Sequence, residues 1–282
     1  MIDTLWLVLR VLAFVLVPLA AGTALFMVLC ARNLPQEARA ALGGLTRRGA
    51  RLALAVVLAQ GLLEPAHLAG EWAGIGDPGL LHLAFLAAGG LAFWLRVAGL
   101  IVLAAAGSPA AALPGALIAL ASFLIQGHAL VGPYRLALLP LLALHVFVAS
   151  FWFGSVAGLF SLQRRAPQSV LPAARAFSGL ALRLVPVLAL AGLLIAYVLL
   201  PGVSALGRPY GLLLCAKVLV FAALMALAAR NRLRWLPGIA RGDAASGAAF
   251  GRALLAEYVL LAGVLGITAV MSGAFSPGPG PL

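Results

Sequence analysis

Histidine, methionine and a few intramembrane charges are the residues of this chain whose types and spacing could do chemistry. His128 closes one apolar run and His145 sits inside the next, with the Gly132-Pro133 turn between them. Imidazole suits copper and zinc, and two ligands from neighbouring helices can define one site. Trp152 lies seven residues beyond His145, two helical turns on and on the same face. Depth decides whether the two histidines meet. A helix starting at Leu136 puts His145 about 13 Å below the surface, whereas a start at Pro140 puts it at about 7 Å, level with His128. The competing reading is that His145 only hydrogen-bonds a neighbouring helix.

Glu64, His67 and Glu71 are three and four residues apart, so a helix that continues past Pro65 places them on one face. Such a face could bind a divalent cation loosely, or be no more than a solvated turn. His82 is a further candidate ligand, and Met271 offers a thioether, the soft donor that selects Cu(I). Arg96, Lys217 and Glu257 are charges inside apolar segments, where they need a partner or a polar cavity. Arg96 and Lys217 could pair with Glu64 or Glu71. Arg183, Arg230 or Asn231 could reach Glu257.

The elements that must carry these residues are membrane helices. Of 282 residues, 64% are hydrophobic and 9% charged, far from the quarter charged that soluble domains show. The apolar runs are about 20 residues long, the length of a spanning helix. Eight spans are expected: 5–31, 51–63, a segment within 80–106, 111–131, 136–162, 180–200, 210–229 and 253–274. The fold class is an all-α polytopic bundle, residues 1–282 forming one integral membrane domain in the lipid bilayer. Pro186 is a kink candidate inside the sixth span.

Arginine placement orients the bundle. Fourteen of the nineteen basic residues fall in the connections after spans one, five and seven. Eight spans put those three connections on one face, the cytoplasmic one, and both termini on the periplasmic face. Asp3, Glu64, Glu71, Asp77 and all four histidines then gather on the outer side. The net charge of +12 reflects this topology and not nucleic-acid binding. Cys30 and Cys215 form no CxxC pair, and there is no P-loop and no hydrolytic triad, so neither ATP-driven pumping nor an enzyme is expected.

Taken together, several short motifs resemble the bacterial copper resistance protein D family. They are Gly127-His128-Ala129, His145 with Trp152-Phe-Gly154, Phe177-Ser178, Pro209-Tyr210-Gly211 with Lys217, Asn231 and Glu257, and Phe93-Trp94-Leu95-Arg96. The similar core covers about 85–274. The resemblance implies an inner-membrane protein that moves copper from periplasm to cytoplasm, and a periplasmic copper-binding donor of the CopC type. His128 and His145 would capture the ion, assisted by His67, Glu64, His82 or Met271. Trp152, Tyr210, Arg96, Lys217 and Glu257 would line or brace the path. Two alternatives stand beside this: an electron-transfer protein holding haem b between helices, as cytochromes of the b561 type do, and an accessory protein that delivers copper without transporting it.

Overall fold

The computed structural model describes residues 1–87, 90–126, 135–200 and 202–274. Regular structure among them is helical throughout. The α-helices are α1 (Ile2–Leu29), α2 (Gln36–Ala69), α3 (Pro78–Phe85), α4 (Gly90–Ala105), α5 (Pro109–Ala121), α6 (Arg135–Arg165), α7 (Val170–Leu199), α8 (Pro209–Arg230), α9 (Leu236–Ala240) and α10 (Ala244–Ala274). A π-helical turn, Asn231–Trp235, joins α8 to α9.

Among the described residues six helices, α1, α2, α6, α7, α8 and α10, are long and apolar enough to cross a membrane. The third expected span is two helices, α3 and α4, bent by 62°. The fourth is the 13-residue α5, followed by turns to Gln126; His128 and the rest of 127–134 lie outside the described residues. Helices in the other positions run longer than expected. α2 begins fifteen residues before Arg51 and passes through Pro65 to Gly70, whose φ of 74° ends it. α6 begins at Arg135 and passes through Pro140. Pro140 is thus no helix start, and the shallow placement of His145 is corrected. Proline costs a helix one hydrogen bond and a local clash, but apolar surroundings leave the backbone no better partner than the helix itself.

α1 is the central post, packing against α2, α5, α6 and α10. Its segment Val17–Met27 is buried without a break. Small residues make that possible. Gly22 of α1 and Gly154 of α6 meet backbone to backbone, and a Cβ on either would collide with the other helix. This is the close small-residue packing that joins helices where no hydrophobic effect separates side chain from lipid. Thr23 Oγ1, donating to its own Leu19 carbonyl at 2.7 Å, lies 3.4 Å from the Gly154 carbonyl at the same crossing.

The two ends of the bundle differ. At one, the three arginine-rich connections come together. Gln168 donates to Glu37, Gln163 Nε2 to the Gly247 carbonyl at 3.3 Å, and Arg232 Nη1 to Ser178 Oγ at 2.6 Å. The corner after α4 belongs to this end, since Arg47 Nη1 donates to the Ala106 carbonyl at 3.3 Å. At the other end the start of α1, the end of α2 and the end of α10 meet.

Candidate metal-handling sites

Three polar groupings occur along the bundle. The first is built at the acid-bearing end by Asp3, Trp6 and Arg10, one face of α1's opening turns, against the last turns of α2. Trp6 Nε1 donates to Glu64 Oε2 at 2.6 Å. The Trp6 and His67 rings stack at 4.0 Å, and His67 Nδ1 pairs with Asp3 Oδ1 at 2.7 Å. Arg10 lies over the Trp6 ring and donates to the Ala269 carbonyl at 3.1 Å and Ser272 Oγ at 3.0 Å of α10. Glu64 and His67 therefore share a helix face, as their spacing predicts. Met271 is buried beside Ser272 in that part of α10. Glu71 and His82 are exposed, outside this grouping.

The second grouping surrounds Arg96, which is 4% exposed. Its Nε donates to Ser122 Oγ at 3.0 Å and its Nη2 to Gln126 Oε1 at 2.8 Å, with Phe123 under the guanidinium at 4.5 Å. The expected pairing with Glu64 or Glu71 is thereby corrected. The turns after α5 bring neutral acceptors closer, and Glu64 is held by Trp6.

The third runs down α6. His145 stands ten residues into α6, about 15 Å from its first residue at 1.5 Å per residue. Its ring packs on α7 where Gly192 leaves room, 3.1 Å from where a Cβ would stand. Its Nδ1 is buried with no hydrogen-bond partner. Lys217 of α8 is close enough for its charge to act on the ring. Two turns on, Trp152 is buried and meets Phe221 of α8 edge-on at 6.1 Å. Below it, Asn231 Nδ2 donates to Glu257 Oε1 at 2.6 Å. Tyr210 is half-buried in the first turn of α8, at the opposite end of that helix from Asn231.

Among the described residues, no three His, Cys, Asp or Glu side chains converge on a metal position. The His128–His145 pair cannot be assembled there, because His128 lies outside them. His67 is engaged by Asp3 and Trp6 in the first grouping. Trp6 and Arg10 belong to the first grouping without having been expected in it. Their sequence signal is the spacing Asp3, Trp6, Arg10 at helical intervals, with a guanidinium inside an apolar run.

Helices of this length and polarity, with ionisable groups facing one another between them, define a multi-pass membrane protein. Residues 171–271 match the family model for copper resistance protein D, and that stretch of the chain is similar to this family. The matched stretch holds Phe177, Ser178, Pro209-Tyr210-Gly211, Lys217, Asn231 and Glu257. His145, Trp152, Arg96 and Gly127-His128-Ala129 precede it. No curated protein and no solved structure matches the chain.

Proposed function

We propose that this chain carries copper across the bacterial inner membrane, from the periplasmic face toward the cytoplasm. The observation that carries the reading is the presence of polar side chains among the membrane helices: His145 of α6 with a buried, unpartnered Nδ1, Lys217 half-buried in α8, and Glu257 of α10 buried on the Asn231 amide. Isolated polar groups at membrane depth are costly, and such groups between helices mark ion paths. The copper in the name of the matched family supplies the cargo. In this reading α3 with α4 makes one crossing and α5 with the residues after it another, giving eight. Both termini are then periplasmic, and the arginine-rich end is cytoplasmic.

Copper enters from a periplasmic donor of the CopC type. His128 and His145 receive it, with Glu64, His67 and Met271 forming the approach and His82 outside it. Copper here is cargo, so two or three weak ligands at each step suffice, and a tight cage would hinder release. A cation at Lys217 of α8 would oppose a resident metal ion, which favours passage over storage.

Metal content and the visible spectrum of detergent-purified protein test this, wild type beside His128→Ala/His145→Ala. Copper is expected in the wild type and lost in the double variant, with no Soret band. A Soret band lost in the same variant would replace transport with haem-based electron transfer.

A further inference from the structure

α7 packs on α6 and α9, and α8 packs on α10, but among the described residues α7 and α8 do not pack along each other. The gap between them holds a cavity of about 420 Å³. Sites that bury a small ligand measure about 300–1,000 Å³. Trp152 of α6 and Leu254 of α10 lie at its back, and Ala181 of α7 and Ala228 of α8 line its sides. Such short side chains leave the gap open. Leu182 and Leu233 also border it and are 56% and 76% exposed, so it opens sideways at an apolar rim. In a spanning bundle that rim meets acyl chains and not water. An empty slot would forfeit dispersion contacts along its whole lining, and a lipid tail restores them.

One end of the slot is charged. Arg232 borders it and donates to Ser178 Oγ of α7 at 2.6 Å. Arg230 and Arg234 lie over the Trp235 ring at 5.1 Å and 4.9 Å. All three arginines are exposed, and among the described residues no carboxylate pairs with them. Arginine beside tryptophan at the end of a span marks the level of the lipid headgroups. Glu257 is the one acid in the lining. It is 2% exposed and bound by the Asn231 amide on the α10 side, away from the Arg232–Ser178 contact.

We infer that the gap between α7 and α8 binds one anionic phospholipid from the leaflet at the arginine-rich end. An acyl chain lies in the slot, and the phosphate rests on Arg232, with Arg230 and Arg234 adding to the positive field. A zwitterionic headgroup would bring its own cation against three guanidiniums, so the anionic lipid is preferred. The site needs only the membrane placement of the helices, and it stands or falls apart from copper transport.

Native mass spectrometry of full-length, delipidated protein tests this, with phosphatidylglycerol and phosphatidylcholine of the same chains titrated in turn. Wild type should hold one phosphatidylglycerol at least about fivefold more tightly than phosphatidylcholine, the factor that one arginine near a membrane surface supplies. Arg232→Gln should weaken phosphatidylglycerol about fivefold and leave phosphatidylcholine unchanged. Ala181→Phe, which fills the slot, should weaken both lipids. Equal affinity of the wild type for the two lipids overturns the headgroup site. Unchanged binding in Ala181→Phe overturns the slot, as does a second copy of the chain bound in place of lipid. If Ala181→Phe does not fold, Ala228→Leu fills the slot from the opposite side, and unchanged binding there is equally decisive.

Discussion

At Arg96 a buried guanidinium is satisfied by one hydroxyl, one amide oxygen and one aromatic face. Ser122→Ala leaves its Nε without an acceptor, in a place water does not reach. The expected cost is about 1.5–3 kcal/mol, the range for hydrogen bonds to charged groups, read as a lowered midpoint of unfolding in detergent. Trp6→Phe removes a donor from Glu64 but keeps the stack on His67 and Arg10, so its expected cost is smaller, about 1 kcal/mol. Asp243 lies between the spans and is fully exposed. The Ser246 hydroxyl first, then the backbone amides of Ala245 and Ser246, hold its carboxyl below the usual carboxylate range. A depressed folded-state value means that its stabilisation is present above the ordinary carboxylate pKa. It is lost as pH falls through the lower folded value. Asp243→Asn should therefore reduce stability at neutral pH and flatten its decline in acid, measured as unfolding midpoint against pH.

Among the elements, the α1–α6 crossing sets the spacing of the bundle. Gly154→Ala puts a methyl group into the backbone of Gly22 and forces the helices apart. Overpacking of this kind costs about 1–3 kcal/mol or more. Gly263→Ala, whose Cβ would meet nothing within 4 Å, should leave thermal stability unchanged. The helices themselves were largely legible in the sequence, since apolar runs of spanning length have few other fates. Their ends were not. Pro65 and Pro140 leave two ends open in the sequence, since either could bound a helix or lie inside one, and both lie within continuous helices. The third span reads as one segment and is two helices at 62°. Asn231 was readable as a partner for Glu257, because each is polar at the same end of its helix. The Trp6–Glu64 and Arg10–Ser272 contacts join residues 58 and 262 positions apart, and periodicity within one helix carries no information about such pairs.

For the whole molecule, the grouping of the three arginine-rich connections at one end, and of Asp3, Glu64 and His67 at the other, makes sidedness testable. Arg39 and Asp77 are exposed and lie toward opposite ends. In intact cells, a membrane-impermeant thiol reagent should label Asp77→Cys and spare Arg39→Cys, with the native Cys30 and Cys215 replaced. The reverse pattern would invert the bundle. Within that frame, transport is the central claim, and copper entry into proteoliposomes measures it most directly. Vesicles holding wild-type protein should accumulate copper faster than protein-free vesicles, and His145→Ala should return the rate to the protein-free level. Wild-type vesicles that fill no faster than empty ones would contradict the account.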